Sequence, residues 1–257
     1  MPRKPREKSS TGIYHVTNRG INKLPIFNSN RGKTRFQNLL KKYKEEYDVQ
    51  IYAYCIMSNH FHLLIKADLE ELASFMAKIL AAYAIYYNQF HQRKGYVFEG
   101  RYKSQCIETE SYFWNCLRYI HRNPIKANIC KTIDGYKYSS MGEYYKEKSV
   151  EIIIDDTTIK MIKEKFNKKE FYEFHKEETD KYMLFIDTPE EVYTQQKTKA
   201  EIIFEQMQKD FQMKGEEILD DINVRNLLDN IIKQCLNISL KKAKKIRNEI
   251  GNDKRKS

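Results

Sequence analysis

The sequence predicts an α+β fold: a ferredoxin-like antiparallel sheet with helices packed on it, followed by an all-α C-terminal region. Three observations carry this reading. Between residues 12 and 123, segments of period two and segments of helical period follow one another in the order β-α-β-β-α-β-α. Two of the strand segments, 49–57 and 60–67, are joined by a Ser58-Asn59 turn, which makes them antiparallel neighbours. Beyond about residue 150, strand signals give way to short helical stretches with acidic and basic runs.

Each element has its own signal. "GIYHVTNRG" (12–20) alternates apolar and polar side chains and ends at Gly20. The stretch 31–49 places Phe36, Leu39, Leu40 and Tyr43 at helical spacing, with lysines on the other face. After the paired strands, 68–95 reads as a long helix, with Asp68 as its cap and Gly95 as its stop. "YVFEGRYKSQCIE" (96–108) reads as a strand bent at Gly100. The next helix starts on Thr109 and is expected to stop before Pro124. The helices are expected on one face of the sheet, and "DGYKYSSMGEYY" (134–145) packs or loops across the domain. This gives a flexible basic arm over 1–11, a sheet domain over 12–148 and a helical accessory region over 149–257. Within the last, 223–251 reads as a helix, a break near Asn237-Ile238-Ser239, and a very basic second helix. The pair could open a helix-turn-helix, but the chain stops at Ser257 before a convincing recognition helix. A solvated lysine face is the reading preferred.

The chain of 257 residues carries 46 Lys+Arg against 35 Asp+Glu, a formal net charge of +11, and 41% hydrophobic residues, enough to build a core. The charge is uneven. Residues 1–48 hold twelve basic and four acidic side chains, residues 150–193 seven and twelve, and residues 241–257 eight and two. Basic ends around an acidic middle suit a nucleic-acid partner, because neutralising phosphates releases counterions. Five cysteines never fall in C-x-x-C spacing, which argues against a cysteine zinc site. "MPRKPREKSS" does not resemble a secretory signal and no apolar run approaches a membrane span, so a reducing cytoplasmic location without membrane contact is expected.

The chemistry starts at "SNHFHLLIK" (58–66). In a strand, side chains two apart share a face, so His60 and His62 project together while Phe61, Leu63 and Ile65 go to the other. Two such imidazoles suit a metal, although H-x-H also occurs as an ordinary half-buried strand pair. A metal needs a further ligand, and the 109–123 helix offers candidates. Tyr112, Cys116, Tyr119 and Asn123 run along one flank, which puts Tyr119 and Asn123 one turn apart. An amide oxygen can ligate a hard cation, and a phenol one turn away can face a phosphate held by it. Among nineteen tyrosines most must serve packing, and spacing alone does not single out Tyr119.

Taken in order, "YHVTNRG", "MSNHFHLLI", "FEGRYKS", "YIHRNPIKANI" and "YKYSSMGEYY" resemble the HUH single-strand DNA transposases with one catalytic tyrosine, and most of all the REP-associated tyrosine transposases. The resemblance covers roughly 10–146. It implies an HUH fold, Tyr119 as nucleophile, and His60, His62 and Asn123 as ligands of a divalent metal, Mg2+ or Mn2+. Asn123 is the least secure, because glutamine also serves at that position. It implies cleavage and strand transfer through a 5′-phosphotyrosine on single-stranded or hairpin-flanked DNA, by a monomer or a homodimer. Arg101, Tyr102 and Lys103 form an aromatic and basic set suited to single strands, and His15, Arg19, Arg118 and Arg122 are expected on phosphates. The rival readings are a hydrolytic metal-dependent nuclease and a non-catalytic regulator that binds hairpin DNA or RNA.

Overall fold

The computed structural model describes residues 5–145, 153–177 and 189–254. Two compact units divide the chain, 1–180 and 181–257. The division falls later than the 148/149 boundary that composition suggested.

In the first unit, β1 (Ile13–Arg19), β2 (Gln50–Ile56), β3 (His60–Lys66) and β4 (Lys103–Cys106) form an antiparallel sheet in the order β2-β3-β1-β4. With α1 (Asn30–Lys44) after β1 and α2 (Leu69–Phe90) after β3, this is the ferredoxin-like arrangement expected. Ser29 caps α1 by accepting from the Gly32 amide at 3.0 Å, and the helix buries Phe36, Leu39, Leu40 and Tyr43. Asp68 occupies the N-cap position of α2 without a side-chain cap bond. That helix ends at Phe90, before the expected stop at Gly95; Gln92 already takes a left-handed φ of 50°.

Alternation along β3 separates two environments. Phe61 packs against Phe27 and Phe36 at ring-centroid distances of 6.3 and 4.8 Å, on the α1 and α2 side. His62 faces the opposite side, where α3 (Glu110–Lys126) lies. The expectation that all helices share one face is therefore corrected: α3 covers the second face, because the histidine face is itself buried and needs a cover.

Thr109 caps α3 as expected, accepting from the Tyr112 amide at 3.2 Å. The helix runs through Pro124 rather than stopping before it. The proline has no N–H for the Ile120 carbonyl, and the Asn123 side chain bonds one residue away, its N–H donating to the Tyr119 carbonyl at 2.9 Å. Of the strand expected over 96–108, only Lys103–Cys106 is regular, and Phe98 forms an isolated bridge with Gly20. Gly100, at a φ of +73°, turns the chain between the two.

The segment 134–145 shields the outer edge of β2. The Tyr138 carbonyl accepts from the Ile56 amide at 2.9 Å, and the Tyr136 and Tyr144 hydroxyls donate to the Ile56 and Tyr52 carbonyls at 2.7 and 2.6 Å. Helices α4 (Asp156–Lys165) and α5 (Lys168–Lys176) also belong to the first unit. At the N-terminus, residues 1–4 of the expected arm lie outside the described residues. The described part has fixed partners: Arg6 lies 3.7 Å over the Tyr102 ring and the Ser9 amide donates to the Tyr14 hydroxyl at 2.9 Å.

The second unit comprises α6 (Pro189–Phe211), α7 (Gly215–Asp220), α8 (Ile222–Leu236) and α9 (Leu240–Lys254), around a core that includes Phe204, Leu228, Ile232 and Ile246. The break expected near Asn237 is present.

Candidate active site

β3 holds His60 and His62 on one face, 5.0 Å apart between ring centroids. Both are buried. The turn before the strand orients the first: His60 Nδ1 lies 2.7 Å from Asn59 Oδ1. An amide oxygen only accepts, so His60 carries its proton on Nδ1 and keeps a lone pair on Nε2. His62 Nδ1 lies 3.0 Å from His15 Nε2 on β1. The two rings stack at 5.2 Å, because β1 pairs with β3 in a register that sets Thr17 opposite His62 and His15 two residues along the same face. Burial, then the neighbouring His62, push the His15 pKa well below the ordinary histidine value, so His15 is neutral.

Tyr119 comes to this cluster from α3. Its ring sits edge-on to His62 at 5.6 Å and to His15 at 5.8 Å, and it is 1% exposed. Asn123, one turn on, is also buried. With its N–H on the Tyr119 carbonyl, Oδ1 is the atom that can meet a cation. Among the described residues no group of three His, Cys, Asp or Glu side chains is placed to hold a metal. Lys126 lies 4.4 Å over the Tyr119 ring. Sequence reasoning missed Asn59 and Lys126. The second was detectable, since an offset of seven returns to the same helix face.

The remaining expected residues divide. Arg101 and Lys103 are exposed beside β4. Tyr102 is buried, with the Arg6 guanidinium over its ring. Arg19 forms an ion pair with Glu99 at the end of β1. Three have partners within the protein. His15 is fully buried behind His62, so it faces a ring and not a phosphate. Arg118 pairs with Glu177 at 3.0 Å and lies 4.1 Å over Phe174. Arg122 donates to the His175 and Lys176 carbonyls at 2.7 and 2.8 Å, closing the end of α5. Both arginines hold α5 against α3.

A model of the IS200-like transposase family matches residues 8–123. Residues 8–123 belong to that family. The domain is that of a DNA transposase, an enzyme of DNA transposition with a tyrosine nucleophile. No curated protein matches the chain. Among solved structures it is similar to a REP-associated tyrosine transposase bound to a REP hairpin, at 15% identity and a TM-score of 0.48, over 62% of this chain and 96% of that one. It is also similar to a candidate transposase from Deinococcus radiodurans R1, at 13% identity and a TM-score of 0.33, over 50% and 91%. The transposase domain thus contains all of β1 to β4 and α3 as far as Asn123, the elements that carry the histidines and Tyr119. No described helix is long and apolar enough to cross a membrane.

Proposed function

We propose that the chain cleaves and rejoins single-stranded, hairpin-flanked DNA through a 5′-phosphotyrosine at Tyr119, beside a divalent cation held by His60, His62 and Asn123. The observation that carries this is the packing of Tyr119 edge-on to His62 inside one chain. Both histidines and Tyr119 come together from a single chain.

The donor set fits a Mg2+ or Mn2+ ion: a lone pair on His60 Nε2 fixed through Asn59, a second imidazole backed by His15, and an amide oxygen. When bound, such an ion withdraws charge from phosphorus. The chain's own groups supply the rest. A free phenol ionises only near pH 10, so Tyr119 needs help at neutral pH. The Lys126 ammonium, 4.4 Å over the Tyr119 ring, is a cation the chain already places beside it. The Tyr119 oxygen attacks phosphorus and gives up its proton; the phosphorus–O3′ bond breaks, and the departing 3′-oxygen takes up a proton. The ester bond is exchanged rather than hydrolysed, so a 3′-hydroxyl can later reverse the step without ATP. Because Tyr119 is buried, a phosphodiester reaches it only when its cover, Lys126 included, shifts. Arg101 and Lys103, exposed beside β4, suit the strand's phosphates.

Incubation with a single-stranded hairpin oligonucleotide and Mn2+ is expected to yield a protein–DNA complex that survives denaturant, absent for Tyr119→Phe. Cleavage that persists in Tyr119→Phe would instead establish a hydrolytic nuclease.

A further inference from the structure

The family match ends at residue 123, and residues 181–257 form a compact unit of their own. Charge in that unit is segregated. Residues 181–240 carry seven basic and eleven acidic side chains, whereas 241–257 carry eight and two.

The local geometry around this charge is specific. α8 stops at Asn237, whose φ of 49° is left-handed and whose amide, with that of Ile238, returns to the carbonyls of the last turn. Ser239 then caps α9, accepting from the Lys242 amide at 3.3 Å. The connection is thus the three residues 237–239. Ala243, Ile246 and Ile250 make the inner stripe of α9, each at most 1% exposed, in one core with Leu228, Ile232 and Leu236 of α8. Arg247 clamps the pair with a two-pronged bond to buried Asp229 at 2.8 and 3.2 Å. The opposite stripe holds Lys241, Lys244, Lys245 and Asn248, all exposed. One acid meets its edge: Glu249 Oε1 lies 4.0 Å from Lys245 Nζ and also accepts from the Tyr193 hydroxyl at 2.8 Å.

Two helices locked at a short turn, the second presenting a lysine-rich stripe from its first turn, have the form of a helix-turn-helix. A face that needed only solvation would mix both signs, as the rest of this unit does. We propose that α8 and α9 form a second DNA-binding module that docks on duplex DNA, independently of the tyrosine site. Lysines reach phosphates as point charges rather than reading base edges, so the module binds with little sequence preference and a steep salt dependence. An anionic membrane is the poorer partner, because the stripe carries no apolar band to insert.

The test uses the full chain and a blunt duplex with no hairpin or single strand, titrated over a series of salt concentrations. The variant Lys241→Gln/Lys244→Gln/Lys245→Gln is expected to bind at least about tenfold more weakly, with a log–log salt slope shallower by about 2.7, or 0.9 per lost phosphate contact. The matching triple Lys→Arg variant keeps the wild-type slope. Formation of the covalent complex on hairpin oligonucleotide is unchanged in both. Wild-type protein that ignores the duplex, a Gln variant with the wild-type slope, or an Arg variant that loses binding as the Gln variant does would each overturn the proposal. So would wild-type protein that binds phosphatidylserine vesicles and not duplex.

Discussion

At the scale of single residues, His15 is the most informative side chain. It has no route to a phosphate, yet it lies 3.0 Å from the atom of His62 that a metal ligand turns away from its ion. For His62 to offer Nε2 to a cation, its Nδ1–H must donate, and neutral His15 is the acceptor in place. His15→Phe removes that acceptor without opening a large cavity and is expected to lower Mn2+ affinity about 10- to 100-fold, as read by calorimetric titration. His15→Gln, whose carbonyl can accept, restores part of it. Equal affinity in both would reduce His15 to packing. The site was legible only as far as backbone periodicity reaches. Period two puts His60 and His62 together, and an offset of four puts Asn123 under Tyr119, with no knowledge of tertiary structure. The partnership of His15 with His62 depends on the register of β1 against β3, which no local pattern states. The partners of Arg118 and Arg122 on α5 were hidden for the same reason: on a helix with two covered sides, charge alone does not tell which side meets solvent.

Among elements, α5 is held by an unusual contact. His175 Nδ1–H donates to the Phe171 carbonyl at 2.7 Å, so its Nε2 accepts from His121 Nδ1 on α3 at 2.8 Å. The hydroxyl of Ser140 then donates to His121 Nε2 at 2.8 Å. Every ring nitrogen of this buried chain is used with both histidines neutral, and an added proton would put a charge where no carboxylate meets it. Burial brings the His175 pKa down to about 4, with Arg118 and Arg122 adding repulsion and the Phe171 carbonyl working against them. The unfolded chain binds that proton near pH 6.5 and the folded chain only near 4, so stability is full above 6.5 and falls as pH drops between the two. The loss from His175 is at most about 1.4 kcal/mol per pH unit in that window. Thermal melts of wild type and His175→Gln at pH 7.5 and 5 test this: the gap between the two pH values should narrow in the variant. The sheet elements were legible because their alternation is strong. Pro124 and Gly95 misled because a helix held by packing on both sides can carry a proline at the loss of one backbone bond, and a helix can end with Gln92 in the left-handed region without needing glycine.

For the whole molecule, the boundary between units decides what can be removed. Composition changes near residue 150, but packing does not follow composition there. Phe171 of α5 is fully buried against His121 and Tyr144, at ring-centroid distances of 6.3 and 5.2 Å, and Lys44 of α1 pairs with Asp155 at 2.7 Å. A chain ended at 148 would expose the outer side of the helix that carries Tyr119 and leave the His121 ring without its acceptor. Losing a buried aromatic of this kind costs about 3–5 kcal/mol before the polar groups are counted, a large fraction of the 5–15 kcal/mol that a domain has. A chain ended at 180 keeps these contacts and removes only the unit with its own core and the lysine stripe. The 1–180 chain is therefore expected to melt cooperatively and still form the covalent complex on hairpin oligonucleotide, while losing the salt-steep binding to blunt duplex. The 1–148 chain is expected to aggregate or melt far lower. If 1–148 proved as stable and active as 1–180, α4 and α5 would be ornaments on the transposase domain and the packing argument would fail.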